Sequence, residues 1–99
     1  MTEITLKIGD DVYSKIKDNV WLYGHLVQEL EEFLHSDISE CVALRISDPI
    51  SEQIIEITID SLNIYQIVEK YREWLIKTEQ YEKLNHADEL IKLAKKKQI

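Results

Sequence analysis

The spacing of apolar residues changes its period along this chain, and that change constrains the fold more than any other feature. Residues 3–8 alternate strictly between apolar and polar side chains, which predicts a strand with one buried face. The segments Cys41–Ile46 and Ile54–Ile59 also have the character of short strands. Helical spacing of three and four residues governs much of the remainder. The sequence therefore predicts an α+β domain in which a short β-sheet packs against helices.

Three stretches have the apolar spacing of amphipathic helices. They are predicted to start near Val20 after a cap at Asp18 or Asn19, after Ser61, and at Asn85 or His86. Gly24 lies within the first of these helices, where glycine costs about 1 kcal/mol relative to alanine. This glycine indicates either a break in the helix or a close approach of another backbone.

The segment that follows the first strand fits two structures. Gly9-Asp10-Asp11 is a turn signal, and Val12–Lys17 alternates in polarity again, although less cleanly, so a β-hairpin is the natural interpretation. The competing interpretation is a helix that starts at Asp10 or Asp11 and buries residues such as Val12 and Ile16. The sequence leaves this choice open.

The apolar faces of these segments predict one hydrophobic core. Its expected members are Ile4, Leu6, Ile8, Ile16, Leu26, Leu30, Ile57, Ile59, Ile67, Val68, Tyr71 and Trp74. A chain of 99 residues is the size of one domain, so residues 1–99 are expected to form a single unit.

Composition narrows the classes of protein to which the chain can belong. No apolar run approaches the roughly 18 residues of a membrane span, so no membrane partner is expected. Cys41 is the only cysteine and cannot form an internal disulfide, which predicts an intracellular location in the cytoplasm or nucleus. The net charge is −7, and the acidic excess lies entirely within residues 1–60, which argues against nucleic acid as a partner.

The sequence contains no recognisable catalytic constellation. Cys41 has no neighbouring basic residue that would lower the pKa of its thiol, and no glycine-rich phosphate loop is present. His25 and Glu29 are one helical turn apart, a spacing that is common by chance. We therefore expect no catalytic residues, no cofactor and no metal, and a protein that is not an enzyme.

Aromatic residues point instead to contacts with other proteins. Five tyrosines and two tryptophans supply amphipathic surface of the kind found in interfaces. Trp21 and Trp74 lie on helical apolar stripes, which favours burial, whereas Tyr81 lies between the last two helices and is the better candidate for an exposed contact.

Several segments together resemble the BTB/POZ fold in its short elongin C and SCF-adaptor branch. The segments are Ile4-Thr5-Leu6, the Asp10-Asp11 turn, Tyr13–Ile16, Gly24–Leu30, Ile57-Thr58-Ile59, Ile67–Lys70, Glu73-Trp74-Leu75 and Glu89–Ala94. The first three resemble the opening hairpin of that family and the others resemble its later helices and its third strand. The resemblance implies a BTB/POZ-like domain that links a receptor helix to a cullin-type ubiquitin ligase.

The same resemblance implies where a partner helix would bind. The groove would be formed by the last two helices and would involve Trp74, Leu90, Leu93, Ala94 and Ile99. Tyr81, the expected exposed contact, completes the set of expected partner-binding residues. Lys95–Lys97 would lie at the rim of this groove and favour an acidic partner helix. Leu90, Leu93 and Ala94 are also placed where they could simply pack their own helix onto the core. A hetero-oligomer and a homodimer are both compatible with this interpretation.

Two other classes of protein fit parts of the sequence. A strand at Glu3–Ile8 followed by a helix from Asp10 is similar to a ribbon-helix-helix unit, the dimeric DNA-binding half of many antitoxins, with Thr5 and Lys7 facing the DNA groove. Residues 41–99 would then form a toxin-binding appendage. The third class is a small viral or bacterial inhibitor that binds a protein target.

Overall fold

The computed structural model describes residues 1–97, which form a mixed α/β domain with a three-stranded sheet and four α-helices. The elements in chain order are β1 (Thr2–Thr5), α1 (Val12–Lys17), α2 (Asn19–Leu34), β2 (Glu40–Ser47), β3 (Ile54–Asp60), α3 (Ile64–Lys77), a 3-10 turn (Tyr81–Lys83) and α4 (Leu84–Lys97). The predicted α+β class is thereby confirmed, as are strands over Cys41–Ile46 and Ile54–Ile59. Within residues 1–97, no helix is long and apolar enough to cross a membrane.

The sheet has the strand order β1-β2-β3. β2 and β3 form an antiparallel hairpin in which Ile46 lies opposite Ile55, with an irregularity in register between Val42 and Leu44. β1 pairs with the other edge of β2 in the parallel sense, with Thr2 opposite Leu44. The pairing of β1 requires a long crossover, and α1 and α2 provide it.

Alternation along the strands gives the sheet two different faces. One face carries aliphatic residues such as Leu44 and Ile46, both fully buried beneath the helices. On the other face Arg45 lies between two carboxylates, with its Nη1 3.9 Å from Glu3 Oε1 and its Nε 3.5 Å from Glu56 Oε2. These exposed pairs contribute at most about 1 kcal/mol each. The open face is therefore polar, and the energy of folding comes mainly from the covered face.

The buried side chains form two clusters where the sequence predicted one. The main cluster joins α2, α3 and α4 to the sheet, and its fully buried large residues are Leu30, Phe33, Leu44, Ile59, Ile64, Val68, Leu75 and Leu90. The smaller cluster consists of Leu6, Val12 and Ile46, with Ile16 and Trp21 packed against it. Ile57 contacts both clusters, so they are adjacent regions of one interior.

Of the two interpretations that the sequence leaves open after the first strand, the helix is correct and the β-hairpin is wrong, because Val12–Lys17 is helical. The Asp11 side chain caps this helix: its carboxylate accepts hydrogen bonds from the Tyr13 N–H at 3.4 Å and from Ser14 Oγ at 2.9 Å. The first turn also buries Val12 against the smaller cluster. The opening hairpin that the BTB/POZ resemblance implied is therefore not formed by these residues, and the hairpin of the sheet is β2–β3.

A helix directly after the first strand is the order expected of a ribbon-helix-helix unit. In that unit, however, the strand completes its sheet with the strand of a second copy. Here β1 already has a partner within its own chain, since Thr2 to Thr5 pair with Leu44 to Ser47 of β2. The hydrogen bonding of β1 therefore does not depend on a dimer.

One aspartate lies between α1 and α2 and caps both helices, as the C-cap of α1 and the N-cap of α2. Asp18 ends α1 with an extended backbone, and its carboxylate accepts hydrogen bonds from the N–H groups of Val20 and Trp21 at 3.1 and 3.4 Å. This confirms the predicted cap, and α2 then continues through Gly24 to Leu34 without a break. The alternative of a helix break at Gly24 is therefore wrong.

Of the expected core residues, Ile8 is the clear error. Its side chain is 87% exposed, because β1 ends at Thr5 and the chain leaves the sheet in a turn at Gly9, whose φ is 93°. The residues found buried as predicted are Leu6, Leu26, Leu30, Ile59, Val68 and Tyr71, and those only partly buried are Ile4, Ile16, Ile57, Ile67 and Trp74.

Leu30→Ala should lower the free energy of unfolding by about 2–5 kcal/mol, because Leu30 is fully buried in the main cluster and its loss leaves a cavity. Urea denaturation followed by circular dichroism measures the change. Ile8→Ala is the control, and its effect should stay within about 0.5 kcal/mol, as for most exposed positions. Equal losses for the two variants would contradict the burial described for α2 and for the turn after β1.

Candidate functional site

A solvent-open cleft of about 630 Å³ lies between α2 and α3 and is closed at one end by the 3-10 turn and the start of α4. We call it the aromatic groove. Its lining residues are Val20, Tyr23, Gly24 and Val27 from α2, Tyr71 and Trp74 from α3, and Gln80, Lys83 and His86 beyond α3. A smaller hollow of about 240 Å³ shares Tyr23 and Trp74 with the groove and extends its surface towards Lys70 and Lys77.

Three aromatic rings, one from α2 and two from α3, pack together and form the aromatic wall of the groove. The centroid of the Tyr23 ring lies 5.2 Å from that of Tyr71 and 5.0 Å from that of Trp74, while Tyr71 and Trp74 are 6.3 Å apart. Such tilted contacts between rings at these distances are favourable beyond the area that they bury. Because Tyr71 also belongs to the main cluster, the core holds this wall in place.

The phenol groups of two of these residues are stabilised in their neutral form. Burial raises the pKa of Tyr23, and the negative charge of Glu73 and an interaction with Tyr71 raise it further. Burial alone raises the pKa of Tyr71. At neutral pH these groups are therefore uncharged. Tyr23 and Tyr71 are only 9% and 4% exposed, so the ring surface that the wall offers to a partner belongs mainly to the partly buried Trp74.

Gly24 lines the groove next to Tyr23 and contributes no side chain to it. A Cβ atom built at this residue would meet no atom within 4 Å, and the backbone there is ordinary helix. Neither the conformation of α2 nor its packing within the chain therefore requires a glycine. The helix is nevertheless narrowest at this residue, so another chain could approach its backbone closely.

Lysines border the groove and the hollow beside it. Lys83 lines the groove, and Lys70 and Lys77 line the hollow together with one acid, Glu73. Among the ion pairs formed within residues 1–97, none includes any of these three lysines. In a chain with a net charge of −7, this surface is locally positive.

His86 at the end of the groove is tied to α2. Its Nε2 lies 3.4 Å from Glu31 Oε1, a contact that links α4 to α2 across 55 residues of sequence. α4 is also joined to α3, because Arg72 Nε donates a hydrogen bond of 2.6 Å to Asp88 Oδ1. These contacts fix the closed end of the groove relative to its two walls.

The predicted partner-binding residues do not come together at one surface. Trp74 lines the aromatic groove, and Tyr81 is 59% exposed in the 3-10 turn but is not part of the groove lining. Leu90 and Ala94 are 1% and 0% exposed, and Leu93 is partly buried against the main cluster. Ile99 lies outside the described residues. The expected groove on α4 is therefore corrected: Leu90 and Ala94 pack their own helix onto the core.

Lys95 and Lys97, which were expected at the rim of a partner groove, contact other parts of the chain instead. Lys97 Nζ donates a hydrogen bond of 2.7 Å to the Ser36 carbonyl and lies 4.5 Å from the centroid of the Phe33 ring. Lys95 Nζ lies 5.9 Å from the Tyr65 ring centroid. These two lysines bind the chain itself and stabilise the end of α4.

The described residues offer little for chemistry at a metal or a thiol. Within residues 1–97 no group of three or more His, Cys, Asp or Glu residues is arranged to hold a metal ion. Cys41 lies in β2, partly buried against the main cluster. Burial raises the pKa of its thiol, which reduces its reactivity as a nucleophile.

Sequence reasoning identified Trp74 and singled out Gly24, but it did not connect them. Tyr23 and Val27 were missed altogether, because the facing of α2 and α3 depends on the tertiary fold. The chain matches no protein-family model, no curated protein and no solved structure.

Gly24→Ala should raise the free energy of unfolding by roughly 0.5–1 kcal/mol, because alanine favours the helix and its methyl group has free space here. Thermal or urea denaturation of the two proteins measures the difference. A destabilised variant would show that the space beside Gly24 is filled by the chain itself.

Tyr71→Phe should reduce the loss of stability at alkaline pH. Because the pKa of Tyr71 is raised on folding, the folded state retains this proton more tightly than the unfolded chain. The protonated Tyr71 side chain therefore contributes to the free energy of unfolding. This contribution is fully present below the unfolded tyrosine pKa of about 10 and is lost as the pH rises through the raised pKa of the folded state. Urea midpoints measured from pH 8 upwards, with Tyr13→Phe as the control at an exposed tyrosine, give the comparison. An unchanged alkaline loss in Tyr71→Phe would contradict the argument.

Proposed function

We propose that this protein is a non-catalytic protein-binding module and that the aromatic groove receives a segment of its partner. The observation that carries the proposal is the combination of an aromatic wall with an open helix surface at Gly24. Tryptophan and tyrosine are the residues most enriched among those that dominate binding energy in protein interfaces. An open groove with such a wall suits a peptide segment better than a small substrate, which is usually enclosed.

One exposed and two partly exposed apolar residues around the groove support a protein partner. Val20, on the rim, is 70% exposed although it is an aliphatic residue on a helix. Val27 lies on the same side of α2, two turns further along the helix. Together with Trp74 they provide apolar contact area on both walls, which a partner would remove from water.

The polar residues of the groove support binding rather than catalysis. The titratable side chains in its lining, apart from tyrosine, are Lys83 and His86, and His86 is engaged with Glu31. Neither a serine nor a cysteine is among the lining residues, so the groove offers no nucleophile paired with a base. This arrangement can hold and orient a ligand but has no evident means to transform it.

The more specific role, an adaptor between a receptor helix and a cullin-type ubiquitin ligase inside the cell, stays a prediction from the resemblance. It requires a helix-binding surface, and the aromatic groove supplies a candidate for it in a different place from the α4 surface first expected. The alternative role, a small viral or bacterial inhibitor that binds a protein target, also requires a surface that contacts another protein. Both roles are versions of the binding function proposed here.

Site-directed photo-crosslinking tests where the partner binds. A photoreactive amino acid that replaces Val20 should capture the partner in extract of the source cells, because this position is on the rim of the groove. The matched control places the same amino acid at Leu62, which is also exposed but precedes α3 and is not in the groove lining. Mass spectrometry identifies the captured protein.

Gly24→Leu decides whether capture depends on the groove. A leucine at this position keeps α2 helical and fills the open space, so crosslinking from Val20 should be lost while the thermal stability of the protein is retained. Capture of the same protein from Leu62, or capture from Val20 that survives Gly24→Leu, would place the binding surface elsewhere and contradict the proposal.

A further inference from the structure

We infer that the segment bound in the aromatic groove is an amphipathic α-helix with acidic residues beside its apolar stripe, and that it crosses α2 at Gly24. This inference rests on the proposed function, because it identifies the class of partner for the same groove. It is carried by two independent observations. One is a glycine within a helix whose packing does not require it, and the other is a group of lysines at the border of the groove that form no ion pair within residues 1–97 of this acidic protein.

The first observation indicates the shape of the partner. Both walls of the groove are helices, so its surface consists of ridges and depressions formed by side chains at helical spacing. Side chains of a second helix fit such a surface, and the axes of packed helices come closest where a small residue lies at the crossing. Gly24 supplies that residue at a place where the chain itself makes no use of the space.

An extended peptide fits this surface less well. A peptide that binds as an added strand needs unpaired N–H and C=O groups along the edge of a sheet. The lining residues of the groove lie on α2, α3, α4 and the turn between α3 and α4, and no strand contributes to it. The backbone groups within α2 and α3 are already used in their own helical hydrogen bonds. A helix, whose backbone is satisfied internally, does not require them.

The second observation indicates the charge of the partner. Lys70, Lys77 and Lys83 outnumber the one acid, Glu73, among the charged residues that line the groove and the hollow, apart from His86. The three lysines are exposed and form no ion pair among the described residues. Carboxylates on a bound helix would pair with them at the rim of the interface and speed the encounter through attraction. The total charge of −7 would by itself favour a basic partner. The local charge of the groove and the total charge of the chain therefore predict opposite preferences.

The experiment uses two synthetic helical peptides of about 18 residues, a length above that at which isolated helices become marginal. Both carry the same leucine stripe, flanked by glutamates in one peptide and by lysines in the other. Binding to the intact protein is followed by nuclear magnetic resonance, with the amides of Tyr23, Gly24 and Trp74 as reporters. We expect the glutamate peptide to bind about tenfold more tightly than the lysine peptide and to weaken as salt is raised.

Two triple variants separate local charge from total charge. The first variant should reverse the preference between the peptides, and it combines Lys70→Glu, Lys77→Glu and Lys83→Glu. The control variant changes the net charge by the same amount at exposed positions outside the groove, and it combines Lys7→Glu, Lys17→Glu and Lys92→Glu. It should preserve the preference for the glutamate peptide. Gly24→Leu should abolish binding of the glutamate peptide, and Gly24→Ala should weaken it less.

The outcomes distinguish this inference from the function on which it rests. Tighter binding of the lysine peptide, with loss in Gly24→Leu, would overturn the acidic partner and leave the groove as a binding site. Self-association that uses the groove, seen by sedimentation and abolished by Gly24→Leu, would make a second copy the occupant and overturn the inference. If neither peptide shifts the three reporter amides and the protein is monomeric, the inference is overturned, whereas crosslinking from Val20 would still decide the proposed function.

Discussion

Coverage of only one face of the sheet is the constraint on which the rest of the structure depends. Because the other face is occupied by Arg45 and its two carboxylate partners, the large aliphatic residues of β2 and β3 must be covered from one side. α2, α3 and α4 cover most of these residues, and α1 covers Ile46. The aromatic groove lies between two of these helices, in the layer that covers the sheet. Its position is a consequence of the same arrangement.

The sequence predicted elements well where a long pattern and a local signal agreed. α2 is an example, since its apolar stripe covers four turns and Asp18 marks its start. The same reasoning was insufficient for Val12–Lys17, where six residues fit either period. This segment is helical because Asp11 caps it and because Val12 is buried against Leu6 and Ile46. The spacing of apolar residues within the segment does not show these contacts.

The candidate site shows a different limit of sequence reasoning. An apolar stripe indicates that a helix face is covered, but not whether its own chain or a partner covers it. Leu90 and Ala94 have the spacing of a binding surface and are covered by the main cluster. Gly24 was visible in the sequence as an anomaly within a helix, yet its meaning depended on which residues surround it in the fold. Only the fold brings Tyr23 and Trp74 together beside that glycine.

The parallel pairing of β1 with β2 has a consequence for the order in which the chain folds. Thr2 lies opposite Leu44, so forming this contact closes a loop of about forty residues, whereas β2 and β3 are joined by a short turn. Loop closure costs entropy that grows with loop length, and local hairpins form within microseconds. β1 is therefore expected to join the sheet after the β2–β3 hairpin and after α1 and α2 have spanned the intervening chain. The strand that is first in sequence completes the sheet last, and its amides should be among the first strand amides to exchange with solvent.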